Sequence, residues 1–266
     1  MKRIRVIQWG LGAMGSGMVK LMLEKEGLQI VGAIRKRKAT VGKDLGEALG
    51  LSKILGVKVS GSQDGLLKKG NVDLVMHATD SFTRTCFDEL KDIIEAGIDV
   101  ITIAEEMAEP HAQEPELAKE IDMLAKRHGV VVLGTGVNPG FVLDSLIINL
   151  TGACHRVDRI EASRINDLSP FGPTVMKTQG VGTTPEEFKR GLAQGTIVGH
   201  IGFKESIRMI SDALGLGVER IEEIREPIIS NTERETPHVK VKPGMVAGCR
   251  HIGIGFKGNA EVVRLI

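Results

Sequence analysis

Cysteine is scarce in this chain and poorly spaced for any shared task. Cys86, Cys154 and Cys249 are its 3 cysteines; they lie far apart and form no CxxC pair, which argues against a disulfide framework and a structural zinc site. Arg250 and His251 beside Cys249 would lower a thiol pKa, but a buried, inert cysteine is the plainer reading. The 7 histidines fall in no HExxH or HxxxH spacing, so no metal is expected. An excess of one charge is also missing, with 35 Lys+Arg against 34 Asp+Glu. That balance argues against a general nucleic-acid or anionic-membrane binder. No apolar run reaches the roughly 18 to 20 residues that span a bilayer, and the start Met-Lys-Arg-Ile-Arg has no signal-peptide pattern. GxSxG, an ordered Ser/His/Asp set and the Walker pattern are absent, which leaves acyl and phosphoryl transfer without support. There is no internal repeat and no low-complexity segment. A soluble, cytoplasmic protein without nucleic-acid or membrane partners is expected.

What is present starts at residues 4–15, where a β-rich run, Ile-Arg-Val-Ile-Gln-Trp, meets glycines spaced GxGxxG. Val6, Ile7 and Trp9 read as a buried strand, and the amphipathic run from Met14 to Lys25 as a helix. Gly10 permits the tight turn, Gly12 removes a side chain that would block a pyrophosphate, and Gly15 lets the helix pack close to the strand. Gly10, Leu11, Gly12, Ala13, Met14 and Gly15 are therefore candidate cofactor-binding residues, with the helix dipole facing the phosphates. Leu28 to Ile34 is a second strand. Where a carboxylate would hold a ribose 2′-hydroxyl at its end, the chain has Arg35-Lys36-Arg37-Lys38. Guanidinium and ammonium groups bind a 2′-phosphate that a carboxylate would repel, so Arg35 and Lys36 point to NADP in preference to NAD. A solvated basic turn is the bland alternative.

Further along, Val41 to Leu55 has a short helical pattern, Val57 to Ser60 a brief strand, and Val72 to Ala78 an apolar strand run that ends in Thr79-Asp80-Ser81. Thr83 to Ala96 is helical with Gly97 beyond it, and Val100 to Ala104 is a strand followed at once by Glu105-Glu106. Pro115 to Arg127 is helical, and Val130 to Leu133 leads into Gly134-Thr135-Gly136-Val137-Asn138-Pro139-Gly140. Such alternation predicts a Rossmann-type, doubly wound parallel sheet over residues 1–150. From 151 to 266 the texture changes. A half-exposed antiparallel strand is expected over Arg156 to Ile165, then a long loop from Asp167 to Pro185 of the kind that is usually functional. Helices over Pro185 to Gln194 and Phe203 to Leu214 follow, and then strands over Val218 to Ile229, Val239 to Val241, Met245 to Phe256 and Glu261 to Ile266. That pattern predicts an α+β substrate domain with a mainly antiparallel sheet.

Ligands of open α/β sheets bind at the strands' carboxyl edge, so residues there are the candidates for chemistry. Glu105 and Glu106 leave a strand at that edge. A carboxylate beside a nicotinamide can stabilise a developing cation and activate a water, and Glu105, first off the strand, is the stronger candidate. Thr79 and Asn138 occupy matching edge positions, Asn138 suited to the nicotinamide carboxamide. In the second domain Arg164 suits a substrate carboxylate through its bidentate fork, with Asn166 beside it. His200 and His251 read as structural.

The stretches WGLGAMG, HATDS, ITIAEEMAEP, GTGVNPGFVLD and RINDLSPFGPTVMKTQGVGTTPEEF resemble the family of 2,4-diaminopentanoate dehydrogenase and the related native amine dehydrogenases, over nearly the whole chain. More distantly the layout is similar to dihydrodipicolinate reductase. The resemblance implies a step of ornithine breakdown: reversible oxidative deamination at C4 of 2,4-diaminopentanoate to 2-amino-4-oxopentanoate and ammonia, with NAD or NADP. It implies that Glu105 is the acid/base group and that Arg164 and Asn166 touch substrate. It also implies that chains of the family continue past the residue where this one stops, the later segment completing the second domain. A homodimer through exposed second-domain strands is expected. Two other readings compete. A cyclic-imine reductase would call for a His-His-x-x-Lys signature, absent between Thr151 and Pro185, and a non-catalytic NADP-binding regulatory module would call for a DNA-binding helix or partner domain.

Overall fold

The computed structural model describes residues 3–36 and 38–266. Two compact units, Met1–Gly140 and Phe141–Ile266, make up the chain.

The first unit runs β1 (Ile4–Trp9), α1 (Ala13–Leu23), β2 (Leu28–Ile34), α2 (Leu45–Ala48), β3 (Val59–Ser60), β4 (Leu74–His77), α3 (Thr83–Glu95), β5 (Asp99–Thr102), α4 (Pro115–His128) and β6 (Val132–Gly134). Its strands form one sheet in the order β3-β2-β1-β4-β5-β6, and every pairing in it is parallel. From β1 the chain steps outward to β3, returns to lay β4 beside β1, and continues the other way. That reversal opens a crevice at the carboxyl ends of β1 and β4. Val6, Ile7 and Trp9 are no more than 1% exposed, as a parallel sheet covered on both faces requires. On α3, Cys86, Leu90, Ile93 and Ile94 are buried at helical spacing and join the core around Ile7, Val75 and Val100. Helix α4 begins at Pro115, whose missing amide needs no partner there, and ends at Gly129 in the left-handed region.

The helical pattern expected over Val41 to Leu55 contracts to the four residues of α2. Asp44 is the reason: its carboxylate takes the backbone amides of Gly46, Leu55 and Gly56, folding the rest of that stretch into a loop.

The second unit runs α5 (Ser145–Thr151), β7 (Ile160–Ala162), α6 (Pro173–Thr178), α7 (Pro185–Ala193), α8 (Phe203–Leu214), β8 (Arg220–Ile229), β9 (Arg234–Glu235), β10 (Lys240–Val241), β11 (Val246–Lys257) and β12 (Ala260–Leu265). A sheet in the order β7-β12-β11-β8 is backed by α8, whose Phe203, Ile207 and Ile210 pack with Leu143, Val263 and Leu265. Strands β9 and β10 pair separately.

Three sequence expectations change here. Residues 141–150 lie in the second unit, because α5 packs on α8. The antiparallel strand expected over Arg156 to Ile165 is only β7, and it pairs parallel with β12. Alternating burial reports one covered face and says nothing of a neighbour's direction. The long loop from Asp167 to Pro185 contains α6, started by Pro173 at its first turn. Among the described residues no helix is long and apolar enough to cross a membrane.

Candidate active site at the carboxyl edge of the parallel sheet

At the end of β1 the glycines divide by what surrounds them. A Cβ on Gly10, whose φ is +97°, would overlap the Ala78 carbonyl, and one on Gly15 would overlap the Gly10 carbonyl, whereas one on Gly12 meets nothing within 4 Å. Gly10 and Gly15 are thus required by the protein's own packing. Gly12 instead keeps a space open over the start of α1, which has no side-chain cap and no acid in its first turn. Open space in front of uncapped helix amides is what a pyrophosphate needs, and the loop fits a dinucleotide. Below it, Gln8 is fully buried and donates through Nε2 to the Gly10 carbonyl at 3.0 Å, holding the turn from beneath.

Arg35 and Lys36 follow β2 at the same edge, and Arg37 lies outside the described residues. Arg35 donates to Thr40 Oγ1 at 3.4 Å. Lys36 Nζ lies 2.6 Å from Glu89 Oε1. Glu89 belongs to a buried polar chain that crosses three elements. Its Oε2 accepts the Thr79 hydroxyl at 2.6 Å and lies 2.9 Å from His77 Nε2. His77 Nδ1 lies 2.9 Å from Thr102 Oγ1, which accepts the Ala104 amide at 3.2 Å. Although burial opposes ionisation, the bonds from His77, Lys36 and Thr79 hold the Glu89 carboxyl down at about 2. The Thr79 hydroxyl, a sequence candidate for cofactor binding, is therefore turned into this network. Glu89 and His77 were not singled out by the sequence, yet they carried a signal: a carboxylate on the apolar stripe of α3 and a histidine inside the apolar run of β4.

Glu105 and Glu106 open a 3₁₀ turn, Glu105–Ala108, immediately beyond β5. The two carboxylates have different tasks. Glu106 is 7% exposed; its Oε2 accepts the Thr83 amide at 2.8 Å, capping α3, and its Oε1 accepts Gln113 Nε2 at 3.2 Å. Glu105 is half-buried. Burial pushes its carboxyl above the usual range, against the opposing hydrogen bond from Ser81, and the charges of Asp80 and Glu106 push the same way as burial. The turn is fixed from below by Gly134, where a Cβ would run into the Met107 carbonyl and come within 2.9 Å of the Ala108 nitrogen. That glycine was part of a motif in the sequence, but its role shows only in this contact. Asn138 stands in the loop after β6.

The edge of the first unit thus brings together the glycine loop, Arg35, Lys36, Thr79, Glu105 and the loop carrying Asn138. Arg164 and Asn166 belong to the second unit, where Arg164 Nε donates to Asn166 Oδ1 at 3.0 Å. Nearby, His251 Nδ1 accepts the His200 amide at 3.0 Å, and its Nε2 lies 2.9 Å from Glu223 Oε2. Burial pushes His200 down to about 4, helped by the charges of His251 and Arg164. Burial also raises the Cys249 thiol, with Arg225 opposing less strongly, so Arg250 and His251 do not activate it. Among the described residues no group of three or more His, Cys, Asp or Glu is arranged to hold a metal ion.

A dinucleotide loop beside a carboxylate of raised pKa suits hydride removal from a carbon that becomes cationic. The family model "2,4-diaminopentanoate dehydrogenase C-terminal domain" matches residues 141–266, and "dihydrodipicolinate reductase, N-terminus" matches residues 4–107. The chain is 47% identical over 262 residues to 2,4-diaminopentanoate dehydrogenase of Acetoanaerobium sticklandii, covering 96% of this chain and 73% of that protein. It is 26% identical over 227 residues to an amine dehydrogenase of Streptomyces virginiae, covering 83% of this chain and 62% of that one. The solved structure of amine dehydrogenase from Mycobacterium smegmatis superposes with a TM-score of 0.83 at 31% identity, covering 98% of this chain and 77% of that one. With both units matched and nearly half of its residues shared along almost its full length, the chain belongs to the 2,4-diaminopentanoate dehydrogenase family.

Proposed function

We propose that the protein is an NAD(P)-dependent amine dehydrogenase that deaminates 2,4-diaminopentanoate at C4, giving 2-amino-4-oxopentanoate and ammonia, reversibly and as a step of ornithine breakdown. The observation that carries this reading is the division of labour at residues 105 and 106. Glu106 is committed to capping α3, while Glu105, with its carboxyl raised by burial, is left for a substrate at the sheet edge.

The glycine loop from Gly10 to Gly15 would hold the pyrophosphate, Arg35 and Lys36 the ribose end with a preference for a 2′-phosphate, and Asn138 the carboxamide. A bound nicotinamide supplies the acceptor for the hydride that leaves the amine-bearing carbon. Glu105, as carboxylate, lowers the energy of the iminium that results; each 1.4 kcal/mol of preference for it is worth about tenfold in rate. It then takes a proton from the water that adds to that carbon and passes it to the nitrogen. Ammonia departs as the carbon–oxygen double bond forms and the hydroxyl proton is lost. Arg164 is our candidate for the substrate carboxylate, as a guanidinium whose Nε is spent on Asn166 and whose terminal nitrogens are of the kind that bind a carboxylate. A homodimer belongs to the same reading, supported by Ile224, Ile228 and Ile229 standing exposed on β8.

The test is reduction of NADP and of NAD by racemic 2,4-diaminopentanoate across pH 4 to 10, wild type beside Glu105→Gln. Turnover should fall as the pH is lowered and Glu105 takes up its proton, at a higher pH than an ordinary carboxylate would, and the variant should lose at least about a hundredfold in kcat, the usual worth of a positioned acid/base group. Undiminished turnover in the variant would remove Glu105 from the mechanism. Binding of either cofactor without turnover of any amine would favour the regulatory-module reading.

A further inference from the structure

Lys36 stands where the cofactor's 2′ position would be read, and its charge is already engaged. Its side chain is 70% exposed, yet Nζ lies 2.6 Å from Glu89 Oε1. Strands β2 and β4 flank β1. A bond from the second residue after β2 to the helix after β4 therefore spans the carboxyl end of β1, at the switch point where such sheets take ligands. The two partners are unequal. Glu89 is 9% exposed, and its other oxygen is fixed by Thr79 and His77. Of the pair, Lys36 is the one free to swing.

We propose that Glu89 is a specificity-determining residue for the cofactor. It tethers Lys36 across the crevice and sets a negative charge beside the 2′ position, so a 2′-phosphate binds only by drawing Lys36 away, whereas a 2′-hydroxyl meets no such competition. The proposal rests on the reading that the adenosine ribose lies at the end of β2. It assigns to a residue on α3, more than fifty positions from the basic turn, a part in setting how strongly that turn favours NADP over NAD.

The experiment is calorimetric titration of the full chain with NADP and with NAD, comparing wild type, Glu89→Gln and Lys36→Met. Glutamine keeps the size of the side chain and an acceptor for Thr79 and His77. Glu89→Gln should tighten NADP about fivefold, the scale set by a partly exposed ion pair, and change NAD less than about twofold. Lys36→Met should weaken NADP selectively. If Lys36→Met is selective and Glu89→Gln moves neither cofactor, or both equally, the role of Glu89 is overturned while the ribose reading stands. If Lys36→Met shows no selectivity, the ribose reading falls and the proposal with it. Should Glu89→Gln fail to fold, NMR titration of the Lys36 ammonium in the unsubstituted protein decides. Glu89, with Asp88 and Asp92 adding less, raises that lysine above its ordinary range. NADP, but not NAD, should shift its resonance. An ordinary lysine titration, or equal shifts with both cofactors, would overturn the tether.

Discussion

Each unit contains a buried histidine–glutamate pair with a cation on the carboxylate, and the two pairs serve different ends. In the first, His77 and Glu89 join β4, α3 and β5, with Lys36 attached from the end of β2. In the second, His251 and Glu223 lie on neighbouring strands β11 and β8 with Arg225 on the carboxylate, and they hold a loop through the His200 amide and the Val198 carbonyl. The parallel sheet ends all its strands at one edge, so a polar network there lies under the ligand crevice. The antiparallel sheet has no such shared edge, and its network staples a loop to the sheet. One device thus ties elements together beneath the carboxyl edge of one sheet and staples a loop to the other.

Glycines that touch the packing offer the sharpest way to separate the units. At Gly134 a Cβ meets backbone, whereas at Gly253 it meets Phe203 Cβ and Cγ at 3.0 Å and Ile207 Cδ1 at 3.1 Å. Backbone cannot step aside as side chains can. Gly134→Ala should cost about 3 to 5 kcal/mol in urea unfolding and lower turnover with it, because the displaced turn carries Glu105, while Gly253→Ala should cost about 1 to 2 kcal/mol. Equal losses would mean that the turn at Glu105–Ala108 adapts.

Next in size are the histidines themselves. His77→Leu leaves Glu89 buried with fewer partners and should cost about 3 kcal/mol with weaker NAD(P) binding. His251→Leu leaves Arg225 on Glu223 and should cost about 2 kcal/mol with cofactor affinity unchanged. A change in cofactor affinity in the second variant would erase the contrast.

Acid should produce the smallest difference and a distinctive order. His200 is held at about 4 from an ordinary 6.5, so the unfolded chain takes up its proton first and stability is lost as pH falls from 6.5 towards 4. Glu89 is held at about 2 from 4.5, so its contribution is intact above 4.5 and is lost between there and 2. Each contributes about 2 kcal/mol after allowance for partial exposure. Hydrogen exchange followed down the pH scale should show the second unit loosening first; the reverse order would contradict both assignments.

Much of this was legible from the residues alone, where the cause is local. Gly10, Gly12 and Gly15 announced the turn, the apolar runs announced β1, β2 and β4, and helices α3, α4, α7 and α8 followed from their 3.6-residue stripes. The position of the basic turn after β2 and of Glu105 after β5 was also readable, since each follows directly on an apolar run. Less legible were α5, β9 and the helix inside the long loop, which are short and lack a strong period.

The chain's spacing of glycines and its alternation of strand and helix determined by themselves a dinucleotide-type sheet with an acid at its edge, because both depend on residues a few positions apart. Tertiary structure alone decided that Glu106 caps a helix while Glu105 does not, that Gly134 fixes the turn beneath them, and that Lys36 answers to Glu89. These contacts join residues from separate strands and helices, and their partners become neighbours only once the sheet has formed.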